Sequence, residues 1–192
     1  MQTDILEVID ERVIVPLAKV KDYLRITPGN TREDSLIQDD LIPSAIDLVE
    51  KFINRDILAK KRKLILFNPQ GSYFNLTYAP ISSVDSIIAS YSNSFRKDSK
   101  VLVLGTDYEI TDADAPEIRI VDKYAKNFEP TYTILYTTAG IRDTRLKMIS
   151  TGILTLISAL YIERDGRSTK QRRNNYKDWL STYRYYGFYG IT

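Results

Sequence analysis

The feature that most constrains the fold of this 192-residue chain is a change in hydrophobic spacing, from helical to strand-like and back. Residues 16–56 carry apolar side chains three or four positions apart, which predicts a helical hairpin bent or split at Pro43. Residues 60–140 contain five or six short β-branched or aromatic runs separated by turn residues, which predicts strands. Helical spacing returns over residues 143–164. The pattern predicts an α+β fold, with a small helical bundle and an inserted antiparallel sheet or open barrel.

The predicted helices carry their own signals. Pro16 suits the first turn of the first helix, and Thr31 is placed to cap the second. The closing helix has an unusually wide apolar arc, whose members are Leu146, Ile149, Ile153, Leu154, Leu156, Ile157, Leu160 and Tyr161. An arc of this width has to be covered from more than one side. The hairpin covers one flank in this interpretation, and a neighbouring subunit is a candidate for another.

The C-terminal segment has a distinctive composition. Residues 164–192 hold seven basic residues against two acidic ones, and seven of the 21 aromatic residues of the chain. Tyr, Trp and Arg are the residues that most often anchor protein interfaces. We therefore predict two parts: a domain over residues 1–164 and a docking arm over residues 165–192. A final helix folded back on its own domain is the alternative.

Charge is unevenly distributed along the chain. Residues 1–58 carry a net charge of −5, residues 59–163 carry +2 and residues 164–192 carry +5. Such segregation favours contact between an acidic and a basic part of neighbouring molecules, or between the basic end and nucleic acid. Chance surface patterning is the other interpretation. The run from Lys60 to Lys63 favours a strand end that deters edge pairing over a phosphate contact.

The chain contains no Cys and no His. This excludes disulfides, cysteine nucleophiles, imidazole bases and the usual zinc ligands. No glycine-rich phosphate loop precedes a helix. We therefore predict no catalytic residue, cofactor-binding residue or metal ligand, and a chain that is not an enzyme. An acidic N-terminus without an export signal, and an apolar run over residues 152–162 that is too short for a bilayer, predict a protein made in the cytoplasm without a membrane partner.

Several segments together resemble a known family. They are Leu17–Ile26, Glu33–Ile37, Ala45–Arg55, a strand block from Ala79 to Gly140, and a closing helix that ends in Leu160–Arg164. Their order and spacing resemble those of tailed-bacteriophage head–tail connector proteins, over most of residues 16–164. Such proteins often have a proline before the closing helix, where this chain has Arg142-Asp143-Thr144.

The resemblance implies a non-enzymatic adaptor in the virion. Such adaptors form a ring, typically of twelve copies, that docks on the portal protein after DNA packaging and receives the tail or a stopper protein. It also implies contact with packaged DNA in the channel. By analogy, the portal-binding residues are Arg172, Arg173, Tyr176, Trp179, Tyr183, Tyr185 and Tyr186. We expect the subunit interface to involve Asp39, Asp40, Asp47, Lys61 and Lys63.

A different function uses the same basic and aromatic residues. Arg172 and Arg173 stand close to Tyr176 and Trp179, a mixture typical of single-stranded nucleic-acid binding. No signature of a known nucleic-acid-binding fold surrounds them, and the isoelectric point near 8.6 is modest for a dedicated binder. A nucleic-acid-binding module is therefore the alternative to the adaptor.

Overall fold

The computed structural model describes residues 2–67, 69, 73–92, 97–111, 117–121, 129–163, 176–178 and 180–184. The chain forms two compact units. The helical unit contains Arg12–Ile57 and the described part of Ile141–Tyr185, and the sheet unit contains residues 2–11 and the described part of Leu58–Gly140. The expected α+β class is confirmed.

The helical unit contains α1 (Leu17–Tyr23), a π-helical turn (Leu36–Leu41), α2 (Ile42–Ile53), α3 (Asp143–Glu163) and a 3-10 turn (Ser181–Tyr183). A bend or split is predicted at Pro43, and the helical geometry does change there, since a π-helical turn ends at Leu41 and α2 begins at Ile42. Leu41 and Ile42 both keep helical φ and ψ, so the π-helical turn leads directly into α2 and the helix is not split. The prediction for Thr31 is wrong, because helical geometry begins only at Asp34, whose amide donates to the backbone carbonyl oxygen of Thr31 at 3.2 Å.

The core of the helical unit is aliphatic. Its fully buried side chains include Ile37 of the π-helical turn, Val49 and Ile53 of α2, and Ile149 and Ile153 of α3. Residues Arg145–Glu163 are long and apolar enough to cross a membrane by length and composition, so the apolar stretch is longer than expected. In the structure the apolar side chains of α3 supply much of this core.

The described residues of the sheet unit form eight strands. These are β1 (Gln2–Val8), β2 (Lys60–Phe67), β3 (Tyr73–Asn75), β4 (Ile81–Ser92), β5 (Lys97–Val101), β6 (Tyr108–Ile110), β7 (Glu117–Ile120) and β8 (Glu129–Thr138). A five-stranded sheet has the order β1-β2-β8-β4-β5, and a three-stranded sheet has the order β3-β7-β6. Every pairing in both sheets is antiparallel. Neither sheet closes, so the inserted region is a pair of open sheets.

The two sheets share one core. Leu64, Ile87 and Ile134 come from the larger sheet, and Ile118 comes from the smaller one. The fully buried Tyr136 satisfies its hydroxyl by donating to the carbonyl oxygen of Thr77 at 3.1 Å. A buried tyrosine normally requires such a partner. The sequence analysis missed β1 and β5, which form the two edges of the larger sheet.

Candidate interaction surfaces

The C-terminal segment, residues 176–184 without residue 179, packs on the helical unit. Tyr176 is 6% exposed, and its ring meets that of Phe52 edge-on at a centroid distance of 5.7 Å. Leu180 is completely buried in the same core. Burial raises the pKa of the Tyr176 hydroxyl above its ordinary value of 10.0, because the charged form is disfavoured away from water. These two side chains anchor the segment to its own chain.

Leu180 lies directly against the backbone of α3. A Cβ atom added at Gly152 would lie 3.0 Å from both Cγ and Cδ1 of Leu180, closer than an ordinary contact. Gly152 sits in the helix interior, where glycine disfavours helix formation relative to alanine. The absence of a side chain at this position therefore makes room for Leu180.

Polar and cationic groups surround this anchor. Arg55 Nε donates to the carbonyl oxygen of Tyr183 at 3.1 Å, and the Tyr183 hydroxyl donates to Met148 Sδ at 3.1 Å. The guanidinium of Arg184 lies 5.3 Å from the centre of the Phe52 ring, within the range of a cation–π interaction. The segment therefore contacts both α2 and α3.

These contacts change the expectation for the arm. The prediction that its apolar side chains are buried by another molecule is wrong for Tyr176 and Leu180, which are buried by their own chain. Tyr176 is consequently unavailable for stacking on a nucleic-acid base in this conformation. Tyr183 is half-buried. The other predicted portal-binding residues lie outside the described part of the chain; they are Arg172, Arg173, Trp179, Tyr185 and Tyr186. The expected boundary at residue 164 also lies outside it.

The acidic residues expected at a subunit interface lie on the surface of the helical unit. Asp39, Asp40 and Asp47 are all exposed. Asp39 accepts a hydrogen bond from Ser35 at 2.8 Å, and Asp47 forms an ion pair with Lys51 at 2.6 Å. The surface is therefore acidic, but the charge of Asp47 is partly balanced within the helix.

The basic run of β2 divides between the two faces of its sheet. Lys60 and Arg62 are buried, and Arg62 lies 3.5 Å from the centre of the Tyr78 ring. Lys61 is exposed and forms a 2.8 Å ion pair with Glu7 of β1, which raises the Lys61 pKa above 10.5. Since β2 lies between β1 and β8, the interpretation of this run as protection of a strand edge is wrong. The alternation also means that the run does not present four adjacent charges to phosphate.

The first edge of the larger sheet is apolar and exposed. We define the β1 edge as residues 2–9, in which Ile5, Leu6, Val8 and Ile9 are each between 44% and 55% exposed. A bulge between Ile5 and Glu7 takes Leu6 out of the pairing register with β2. In the described part of the chain, β1 pairs with no strand other than β2. An exposed apolar strand edge is a site where another strand readily adds.

The opposite edge is also apolar. We define the β5 edge as residues 97–104, in which Val101, Val103 and Leu104 are each between 57% and 61% exposed. Within the described residues, β5 pairs only with β4. The apolar run Val101–Leu104 was a signal of this strand in the sequence, and the polar residues before it concealed the strand. The larger sheet therefore has two different apolar edges.

A short turn holds the end of the β5 edge in place. Asp107 accepts a hydrogen bond from the Val103 amide at 3.0 Å and one from Lys100 Nζ at 2.7 Å. These two donors, Lys100 foremost, lower the Asp107 pKa below its ordinary value of 3.8. Gly105 has a φ of +81°, a conformation that favours glycine. The exposed side chains of Val103 and Leu104 are thus presented on an ordered turn.

No group of three or more His, Cys, Asp or Glu side chains suited to a metal ion occurs in the described ranges. The candidate functional features of the structure are therefore surfaces. They are the docked C-terminal segment, an acidic helical face and two sheet edges. They are typical of a protein that contacts other macromolecules.

No protein-family model matches the chain, and no curated protein matches its sequence. Solved structures do match its fold. A chain from the neck of an empty GTA particle, solved with C6 symmetry, gives a TM-score of 0.69 at 15% identity. A chain from the virion of the native gene transfer agent (GTA) particle gives 0.68 at 17%, and one from the native GTA neck with C12 symmetry gives 0.64 at 14%. Each comparison covers 99% of this chain and 98% of the other, so the shared fold extends over both chains.

Proposed function

We propose that this chain is a structural subunit of the head–tail junction of a tailed phage or a phage-like particle. The observation that carries the proposal is the full-length likeness to chains from GTA necks solved with C6 and C12 symmetry. The sequence resemblance to head–tail connector proteins supports it independently. The protein in this proposal is a non-enzymatic adaptor located in the virion. Copies form a ring, which we take to contain twelve chains.

The ring in this proposal docks on the portal protein after DNA packaging and offers its other side to the tail or a stopper protein. Because Tyr176 and Leu180 are buried by their own chain, we leave them out of the portal-binding part of the arm. We assign portal binding to Arg172, Arg173 and Trp179 with Tyr185 and Tyr186, while Tyr183 contributes its exposed part. Tyr176 and Leu180 then hold the arm on the helical unit.

The test is co-sedimentation of the chain with purified portal rings. Truncation after Arg164 is a poor test, because it removes Tyr176 and Leu180 from the helical core. Truncation after Arg184 retains both anchors and removes Tyr185 and Tyr186. We expect the full chain to sediment with the portal, and the shortened chain to lose at least tenfold in affinity, since a central aromatic anchor contributes about 2 kcal/mol or more.

A matched control separates docking from general damage. Met148→Leu alters the contact of the Tyr183 hydroxyl while preserving an apolar residue on α3, and should sediment like the full chain. Equal portal binding by the chain truncated after Arg184 would reject the assignment of Tyr185 and Tyr186. Failure of the full chain to bind any portal ring would reject docking itself.

The acidic helical face is the second part of the proposal. We propose that Asp39, Asp40 and Asp47 approach the basic side of a neighbouring copy. Lys63 is the stronger partner there, because Lys61 is already paired with Glu7 within its own chain. Replacing the three aspartates by lysine should prevent ring assembly at low salt. An unchanged ring would remove this contact from the proposal.

A further inference from the structure

The two edges of the larger sheet differ from one another in sequence and in charge. Residues 2–9 contain Asp4 and Glu7 and no basic residue, which gives a net charge of −2. Residues 97–104 contain Lys97 and Lys100 against Asp98, which gives +1. Both edges also carry exposed aliphatic side chains. The β1 edge is therefore acidic and apolar, and the β5 edge is basic and apolar.

We propose that the β1 edge of one copy adds to the β5 edge of the next copy, so that the larger sheet continues from subunit to subunit. This inference rests on the proposed ring and specifies how its subunits join. The occupant of each edge is a second copy of this chain. Contact between two different patches is heterologous, and repetition of such a contact generates a closed ring when the rotation between copies closes.

The topology specifies the direction of the added strand. Four successive antiparallel pairings connect β1 to β5, so these two edge strands run in the same direction. A neighbour related by rotation about a ring axis must therefore add its β1 parallel to β5. A two-fold pairing of identical edges would instead be antiparallel.

Charge favours the contact between different edges. Pairing two β1 edges would bring acidic residues such as Asp4 together, and pairing two β5 edges would bring lysines together. Such like-charge contacts are unfavourable, whereas opposite charges across an interface guide association. Glu7 and Lys100 have partners in their own chain, Lys61 and Asp107, so their net contribution to the attraction is reduced.

Apolar burial favours the same contact. Ile5, Leu6 and Val8 on one edge and Val101, Val103 and Leu104 on the other are all at least 49% exposed. Natural sheets usually protect such edges by charge, proline or a covering segment. The Asp107 turn fixes Val103 before association, so that little ordering is required when a neighbour binds.

The absence of cysteine allows a direct test. Leu6→Cys and Val103→Cys place one thiol on each edge, at side chains that are exposed in the single chain. The full-length variants are assembled with portal rings or concentrated alone, and treated with a short bis-maleimide. A chain carrying both substitutions should give a ladder of linked oligomers. A mixture of the two single variants should give linked dimers at more than tenfold the yield of either variant alone.

The outcomes separate this inference from the proposed function. Linking within one single variant as efficient as in the mixture would indicate identical edges in contact, and would overturn the inference. Oligomers visible by light scattering without any link between positions 6 and 103 would also overturn it, and would leave the ring proposal intact. A chain that remains monomeric with and without portal would reject both.

Discussion

Lys21 illustrates how a single side chain organises its surroundings. It is buried, and its ammonium group donates to the carbonyl oxygens of Pro28 and Asn30 and to Asp34 Oδ1, at 2.7 to 3.0 Å. These bonds use all three donors of the ammonium group and fix the connection between α1 and the π-helical turn. The sequence does not reveal this ion pair between Lys21 and Asp34, because the two residues lie in different segments and local spacing does not encode their contact.

We expect Lys21→Met to destabilise the chain by about 2 kcal/mol, since it leaves two carbonyl groups and the Asp34 carboxylate without their donor. The measurement is the free energy of unfolding from urea denaturation. Lys51→Met is the matched control, because it breaks an exposed pair with Asp47. It should cost less than about 0.5 kcal/mol. Equal losses in the two variants would contradict the role assigned to Lys21.

Asp107 gives a prediction that depends on pH. Its pKa is lowered in the folded chain, so the carboxylate stabilises the fold above 3.8 and loses this contribution as the pH falls through the lower folded value. Asp107→Asn should therefore lower the melting temperature at neutral pH. The difference should disappear well below pH 3.8. A difference that persists unchanged in acid would show that Asp107 acts through its shape rather than its charge.

At the scale of helices and strands, the spacing of hydrophobic residues along the sequence predicted most of the architecture. The closing helix, predicted over residues 143–164, is observed at Asp143–Glu163, because its apolar residues recur at helical spacing. The edge strands were missed for a physical reason. β1 contains Asp4 and Glu7 and is half exposed, so its side chains do not alternate cleanly between apolar and polar. Its position is determined by pairing with β2, a contact between distant segments that local spacing does not encode.

The docking of the C-terminal segment on its own helical unit could likewise not be predicted from the sequence. The spacing of Tyr176, Trp179, Leu180 and Tyr183 predicts a short helix, but it leaves open whether that helix docks on another molecule or folds back on its own domain. The distinguishing residue was Gly152, whose missing side chain admits Leu180. A single glycine within a helix pattern does not reveal what it approaches. The acidic face, by contrast, was predicted from charge alone, and its aspartates are exposed.

The contact between Gly152 and Leu180 predicts that Gly152→Ala changes the free energy of unfolding in opposite directions with and without the Leu180 side chain. Gly152→Ala should destabilise the chain by about 1 kcal/mol, because crowding of the buried Leu180 outweighs the gain in helix propensity. In a Leu180→Ala background the crowding atoms are absent. The same substitution should then stabilise α3 by up to about 1 kcal/mol. Urea unfolding of the four chains in this double-mutant cycle measures both effects.

Stabilisation by Gly152→Ala in the native background would contradict the packing of Leu180 on α3. Equal effects in the two backgrounds would contradict it as well. The cycle therefore tests whether the C-terminal segment is held by its own chain, independently of any partner.

At the scale of the whole molecule, the proposed function makes this chain a subunit of a larger assembly. The fold of GTA neck and virion chains, two apolar sheet edges of opposite charge and an acidic helical face are all consistent with a ring. A heterologous interface requires two different patches on each copy, and the larger sheet supplies them. Neither edge was predicted from the sequence, since both strands were missed.

The most direct test of the central claim is the mass of the complex formed when the 22.1 kDa chain is added to purified portal rings. Analytical ultracentrifugation resolves the portal alone, the free chain and the complex. The account predicts a single complex heavier than the portal by twelve copies of the chain. A chain that stays at its monomer mass in the presence of saturating portal, with no heavier species, would contradict the account.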